Sequence, residues 1–100
     1  MNRETNLEVV VREVKGTCPV YDRGDRFTIS EGYKLKTEIT LCTHSLTSIL
    51  PYYIPLSRGI SPEELGLGKD DKAYVQCLDP CDYTGGGTVI FEITRNEKDS

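Results

Sequence analysis

Tryptophan is missing from these 100 residues, and histidine and methionine occur once each. A single histidine rules out any centre built on several imidazoles, so ligand chemistry must rest on other side chains. No apolar run approaches the roughly 20 residues that cross a bilayer, so no membrane span is expected. Lys and Arg are scattered, and acids outnumber bases sixteen to twelve, giving a net charge of −4. Without clustered cations or interleaved aromatics there is no footprint for phosphate contacts, which argues against a nucleic-acid partner. Internal repeats and low-complexity tracts are absent, and no pair of C-x-x-C knuckles occurs. The opening stretch MNRETNLE is polar and lacks the apolar segment of a secretory signal, so the expected compartment is the cytoplasm.

What is present fits one soluble domain over residues 1–100, with 1–5 and 96–100 expected to fray. The composition is 37% hydrophobic and 28% charged, inside the globular range. A core of this size is small, so a metal ion, a partner or a second copy would matter to its stability.

LEVVVREV (7–14) alternates Leu7, Val9 and Val11 and reads as a strand, as does RFTIS (26–30) with Phe27 and Ile29. LKTEITL (35–41) has the same period. THSLTSILPYYIPLSRG carries Leu46, Ile49, Leu50, Tyr53 and Leu56 at helical spacing, with Cys42 or Thr43 as N-cap. Pro51 and Pro55 each lack an N–H and crowd the preceding turn, which predicts a kink or two short helices ending at Gly59. In SPEELGLG, Ser61 and Glu64 have capping-box spacing, with Pro62 at the first helical position. AYVQCL (73–78) and TVIFEITR (88–95) close the chain as strands. The order predicts an α+β fold, mainly an antiparallel sheet, with a Pro-kinked helical segment inserted in the middle.

Chemistry gathers on four cysteines. Cys18, Cys42, Cys77 and Cys81 stand at strand ends or in adjoining loops, in the segments GTCP, LCTH and QCLDPC. In a reducing compartment they read first as metal ligands or reactive thiols. Zinc takes four thiolate or imidazole ligands in a tetrahedron, and an iron–sulfur cluster takes three or four thiolates. His44 lies in the first turn of the helix that Cys42 opens, and the helix dipole favours a thiolate there and a neutral imidazole. Three readings stay open. One is a zinc or iron–sulfur centre on Cys18, Cys42 and Cys77 with Cys81 or His44 completing it, Asp79 and Asp82 accepting outer hydrogen bonds. Another is a thiol redox enzyme or sensor with Cys42 as nucleophile. The third is a protein-binding or oligomerising module, in which the cysteines are structural and the Tyr-Ile-Pro helical segment meets a partner or a second copy. No reaction is named by any of them.

The segments GTCPVYDRGDRFTI, LCTHSLTSILPYY, SRGISPEELGL and CLDP…GGTVIFEITR, spanning roughly residues 8–95, resemble a family of small archaeal and bacterial conserved hypothetical proteins of unassigned function. The shared pattern is a G-x-C-P turn, a G-[DQ]-x-F strand, a cysteine ahead of a helix, and a late cysteine before V-[IV]-F-[EK]-I. The resemblance imports no activity. It implies that Cys18, Cys42 and Cys77 form the common trio, with Cys81 and His44 less general. That pattern favours three thiolates with an open or variable fourth position.

Overall fold

The computed structural model describes residues 5–97. Its elements in chain order are β1 (Thr5–Gly16), β2 (Arg26–Ser30), β3 (Lys34–Lys36), α1 (Thr43–Ser57), β4 (Gly68–Lys69), β5 (Lys72–Gln76), α2 (Cys81–Thr84) and β6 (Gly87–Glu97). The strands form one antiparallel sheet in the order β3-β2-β1-β6-β5-β4. The fold is α+β, with α1 against one face of the sheet.

The long central pair, β1 and β6, joins the two ends of the chain, from Thr5 opposite Glu97 to Gly16 opposite Gly87. A bulge falls between Val11 and Glu13. The extra residue shifts the two-residue period of β1, so that Val14 meets Val89 on the same face as Val11 and Phe91. Leu7, Val9, Val11, Phe27, Ile29, Ala73, Val75, Val89, Phe91 and Ile93 are buried on that face. Ile49 and Leu56 of α1 cover them, and Tyr21 packs edge-on against Phe91 at 5.5 Å between ring centroids. The opposite face carries charge. Arg26 pairs with Glu8 at 2.9 Å, and the Tyr74 hydroxyl donates to Glu92 at 2.8 Å, with Arg12 and Lys72 nearby. That hydrogen bond to the Glu92 carboxylate is the main reason the Tyr74 phenol sits above its ordinary pKa.

Three elements differ from the periodicity. LKTEITL keeps only residues 34–36 in the sheet, because the Thr37 hydroxyl accepts from the Ile39 N–H and donates to the Ile39 carbonyl, curling the chain off the ladder. α1 is a single helix of 15 residues that contains both Pro51 and Pro55 rather than two short ones. The carbonyls those prolines leave without their helical donors belong to Thr47 and Pro51, both exposed residues. SPEELGLG does form its reciprocal cap, Ser61 Oγ accepting from the Glu64 N–H at 3.1 Å and Glu64 Oε1 accepting from the Ser61 N–H at 3.2 Å. It goes no further than a series of turns, since Gly66 takes the left-handed conformation at φ 74°.

At the termini, Thr5, Asn96 and Glu97 belong to paired strands, where fraying is the sequence expectation; residues 1–4 and 98–100 lie outside the described residues. Among the described residues no helix is long and apolar enough to cross a membrane.

Phe91 is fully buried and faces Tyr21, Val11 and Val75. Phe91→Ala is expected to destabilise the domain by about 3–5 kcal/mol, read from the urea midpoint at unchanged slope.

Candidate functional site

The turn after β1 delivers Cys18, and its position is set by backbone contact with the start of β6. A Cβ added at Gly87 would lie 2.5 Å from the Thr17 carbonyl and 2.7 Å from the Cys18 nitrogen. No other residue lets the two backbones approach so closely, so the glycine at 87 fixes where Cys18 leaves the sheet. Cys18 is half-buried, and its Sγ accepts from the Tyr21 N–H at 3.4 Å.

Cys42 is the N-cap of α1, with extended backbone (φ −85°, ψ 129°) and no side-chain capping bond. Its backbone is held instead by Tyr21, a residue 21 positions earlier. The Cys42 N–H donates to the Tyr21 hydroxyl oxygen at 2.9 Å, and the Ser45 hydroxyl donates to the Cys42 carbonyl at 2.7 Å. Tyr21 and Ser45 oxygens are 2.8 Å apart. Each hydroxyl has one proton, and that of Ser45 is committed to Cys42, so the Tyr21 O–H donates to Ser45. The ring closes through buried groups, Tyr21 at 3% exposure and Ser45 at 1%. One tyrosine thus touches both cysteine segments, through its amide at Cys18 and its hydroxyl at Cys42.

Cys77 follows β5 and extends its ladder by one bond, its N–H donating to the Val89 carbonyl at 2.8 Å. Its own carbonyl accepts from the Thr88 hydroxyl at 3.2 Å. Cys18, Cys42 and Cys77 all pack as half-buried residues against the one hydrophobic core cluster. The remaining thiol is apart from that cluster. Cys81 opens α2 and points its Sγ at the Gly86 carbonyl, 3.2 Å away, with the Lys15 carbonyl at 3.7 Å. It lines a cleft of about 190 Å³ with Lys15, Gln76, Tyr83 and Thr88. Asp79 is used within the same loop, accepting from the Thr84 hydroxyl at 2.5 Å, and Asp82 is exposed. His44 is also exposed, and its carbonyl accepts from the Thr47 hydroxyl at 2.6 Å.

All four cysteines are free thiols. Among the described residues no three His, Cys, Asp or Glu side chains stand close enough together to hold a metal ion as they are oriented. The arrangement is therefore three half-buried thiols packed against the core, rather than a finished coordination shell. Sequence reading identified the cysteines and passed over Tyr21 and Ser45. The signal for them was weak, since a tyrosine in a turn and a serine inside a helix have many ordinary uses. Known proteins do not extend the picture. No family model, curated protein or solved structure matches this chain.

Tyr21→Phe keeps the ring on Phe91 but strips the acceptor from the half-buried Cys42 N–H. It is expected to cost about 1–3 kcal/mol. Hydrogen exchange should show the loss concentrated at the start of α1, with faster exchange at Cys42.

Proposed function

We propose that this protein binds a soft metal, as zinc or as an iron–sulfur cluster, through the thiolates of Cys18, Cys42 and Cys77. The fourth position is left to solvent, Cys81 or His44. One observation carries the reading: three thiols from three distant segments border one core cluster, two of them braced by the same tyrosine. Half-burial suits such ligands, because it limits solvent without preventing deprotonation and metal entry. The thiols are not gathered to ligand distance. Metal uptake must accordingly rotate or draw them inward, so binding and local ordering are one event, and the bound ion stabilises the fold.

A second reading treats Cys42 as a reactive thiol. It is favoured by the helix start, where Cys42 occupies the capping position without using its side chain as a cap. A nucleophile there would be held by its backbone and keep its sulfur free.

Protein prepared without oxygen should contain close to one equivalent of zinc, or the iron of one cluster, by elemental analysis and absorbance. Cys18→Ser, Cys42→Ser and Cys77→Ser should each lose most of it, while Cys81→Ser retains at least half. Metal-free protein whose melting temperature is indifferent to a strong chelator and to added Zn²⁺ or iron sinks the metal reading. For the thiol reading, alkylation followed by mass spectrometry at neutral pH should label Cys42 at least tenfold faster than the other three. Equal, slow labelling removes it.

A further inference from the structure

Tyr21 is a buried residue whose N–H has a sulfur for a partner. Among the described residues no carbonyl takes that N–H, and the Cys18 Sγ does at 3.4 Å. A side chain three residues back thus stands where a tight turn would place a backbone oxygen. Neutral sulfur is a weak acceptor, whereas a charged acceptor makes a hydrogen bond roughly twice as strong. The chemical state of the Cys18 sulfur therefore decides how firmly this amide is satisfied. Take the acceptor away and the amide is left unpaired beside the core, which destabilises its present position.

The other end of the same side chain anchors α1. The Cys42 N–H donates to the Tyr21 hydroxyl at 2.9 Å, and Ser45 closes the ring at 2.8 and 2.7 Å. With no side-chain cap and no acidic residue in the first turn, the helix start leans on that hydroxyl. Between the two ends the tyrosine ring is wedged edge-on against Phe91, and Pro19 fixes one dihedral of the turn. A displacement of the Tyr21 backbone is accordingly carried to its hydroxyl, since close-packed surroundings transmit strain rather than absorb it.

We infer that Cys18 and Cys42 form one coupled pair, in which the state of the Cys18 sulfur sets how firmly the first turn of α1 holds Cys42. A group added to Cys18, or loss of its sulfur, weakens or removes the acceptor of the Tyr21 N–H. The tyrosine then shifts, its hydroxyl leaves the Cys42 N–H, and the helix start opens around the second thiol. A reagent that reaches Cys18 first thereby unmasks Cys42. Coupling of this kind is reciprocal, so opening the helix start loosens the Cys18 turn as well. The other two thiols lie outside it. Cys77 is tied to Val89 and Thr88, and Cys81 to the carbonyls of Gly86 and Lys15. The latch does not depend on the metal reading, because it needs only the free thiols and Tyr21.

Iodoacetamide at neutral pH is the probe, applied to the full chain with a chelator present and mapped cysteine by cysteine by mass spectrometry. Each thiolate sulfur displaces iodide from carbon, its proton having gone to solvent, so the step needs no oxidant. Cys18→Ala should speed both Cys42 alkylation and Cys42 amide exchange by about fivefold or more, with Cys77 and Cys81 unchanged. In a Tyr21→Phe background the same substitution should add nothing, because the link is already cut. Ser45→Ala reads the pair from the other end. It takes the acceptor from the Tyr21 O–H and should speed Cys18 alkylation, a comparison that stands even where Cys18→Ala does not fold. Cys42 unchanged in a folded Cys18→Ala, or Cys18 unchanged in Ser45→Ala, overturns the inference. So does an acceleration that persists in Tyr21→Phe, or one that Cys77 and Cys81 share.

Discussion

The antiparallel ladder between β1 and β6 is the constraint on which the rest depends. It ties the first strand of the chain to the last, so it is closed only after everything between has been laid down. β2 and β3 extend it on one side and β5 and β4 on the other. Its far end, Gly16 opposite Gly87, is where the Cys18 segment leaves the sheet. The glycine at 87 admits the Thr17–Cys18 backbone, and the same strand receives the Cys77 N–H two residues on, at Val89. A side chain at 87 would move Cys18 away from β6 and loosen the turn that carries Tyr21.

Tyr21 transmits that placement to the helix. Its ring is buried against Phe91 in the core, its amide meets Cys18, and its hydroxyl closes a ring with Cys42 and Ser45. α1 has no acidic residue in its first turn and no side-chain cap, the usual ways of satisfying a helix start. A hydroxyl supplied from the core takes over part of that task. The helix start and the Cys18 turn are thereby coupled through one side chain. The thiols at both places respond to the same packing.

Much of the fold was legible in the residues themselves. Alternation in 7–14, 26–30, 73–78 and 88–95 marked the strands and their buried faces, because a two-residue period has a single solution against a one-sided core. The prolines suggested a kink or two short helices, and α1 is one element that contains both. LKTEITL had a strand's pattern but lost it after Lys36, where a threonine hydroxyl competed locally with the ladder. Ser61 and Glu64 made their cap as spaced, and glycine at 66 ended the turn before a helix could propagate. The bulge at Arg12 left no signal other than a valine displaced to 14.

The sequence by itself determined the fold class, the main strands, the middle helix and the identity of the four thiols, because these follow from local period and side-chain chemistry. Tertiary structure decided which thiols pack against the core. Cys18, Cys42 and Cys77 border one cluster while Cys81 turns to the carbonyls of its own loop and of β1, and His44 faces solvent. It also decided that Tyr21 and Ser45 hold the helix start. Contacts between residues 20 to 80 positions apart depend on strand order and register, and neither is written in any short stretch of the chain.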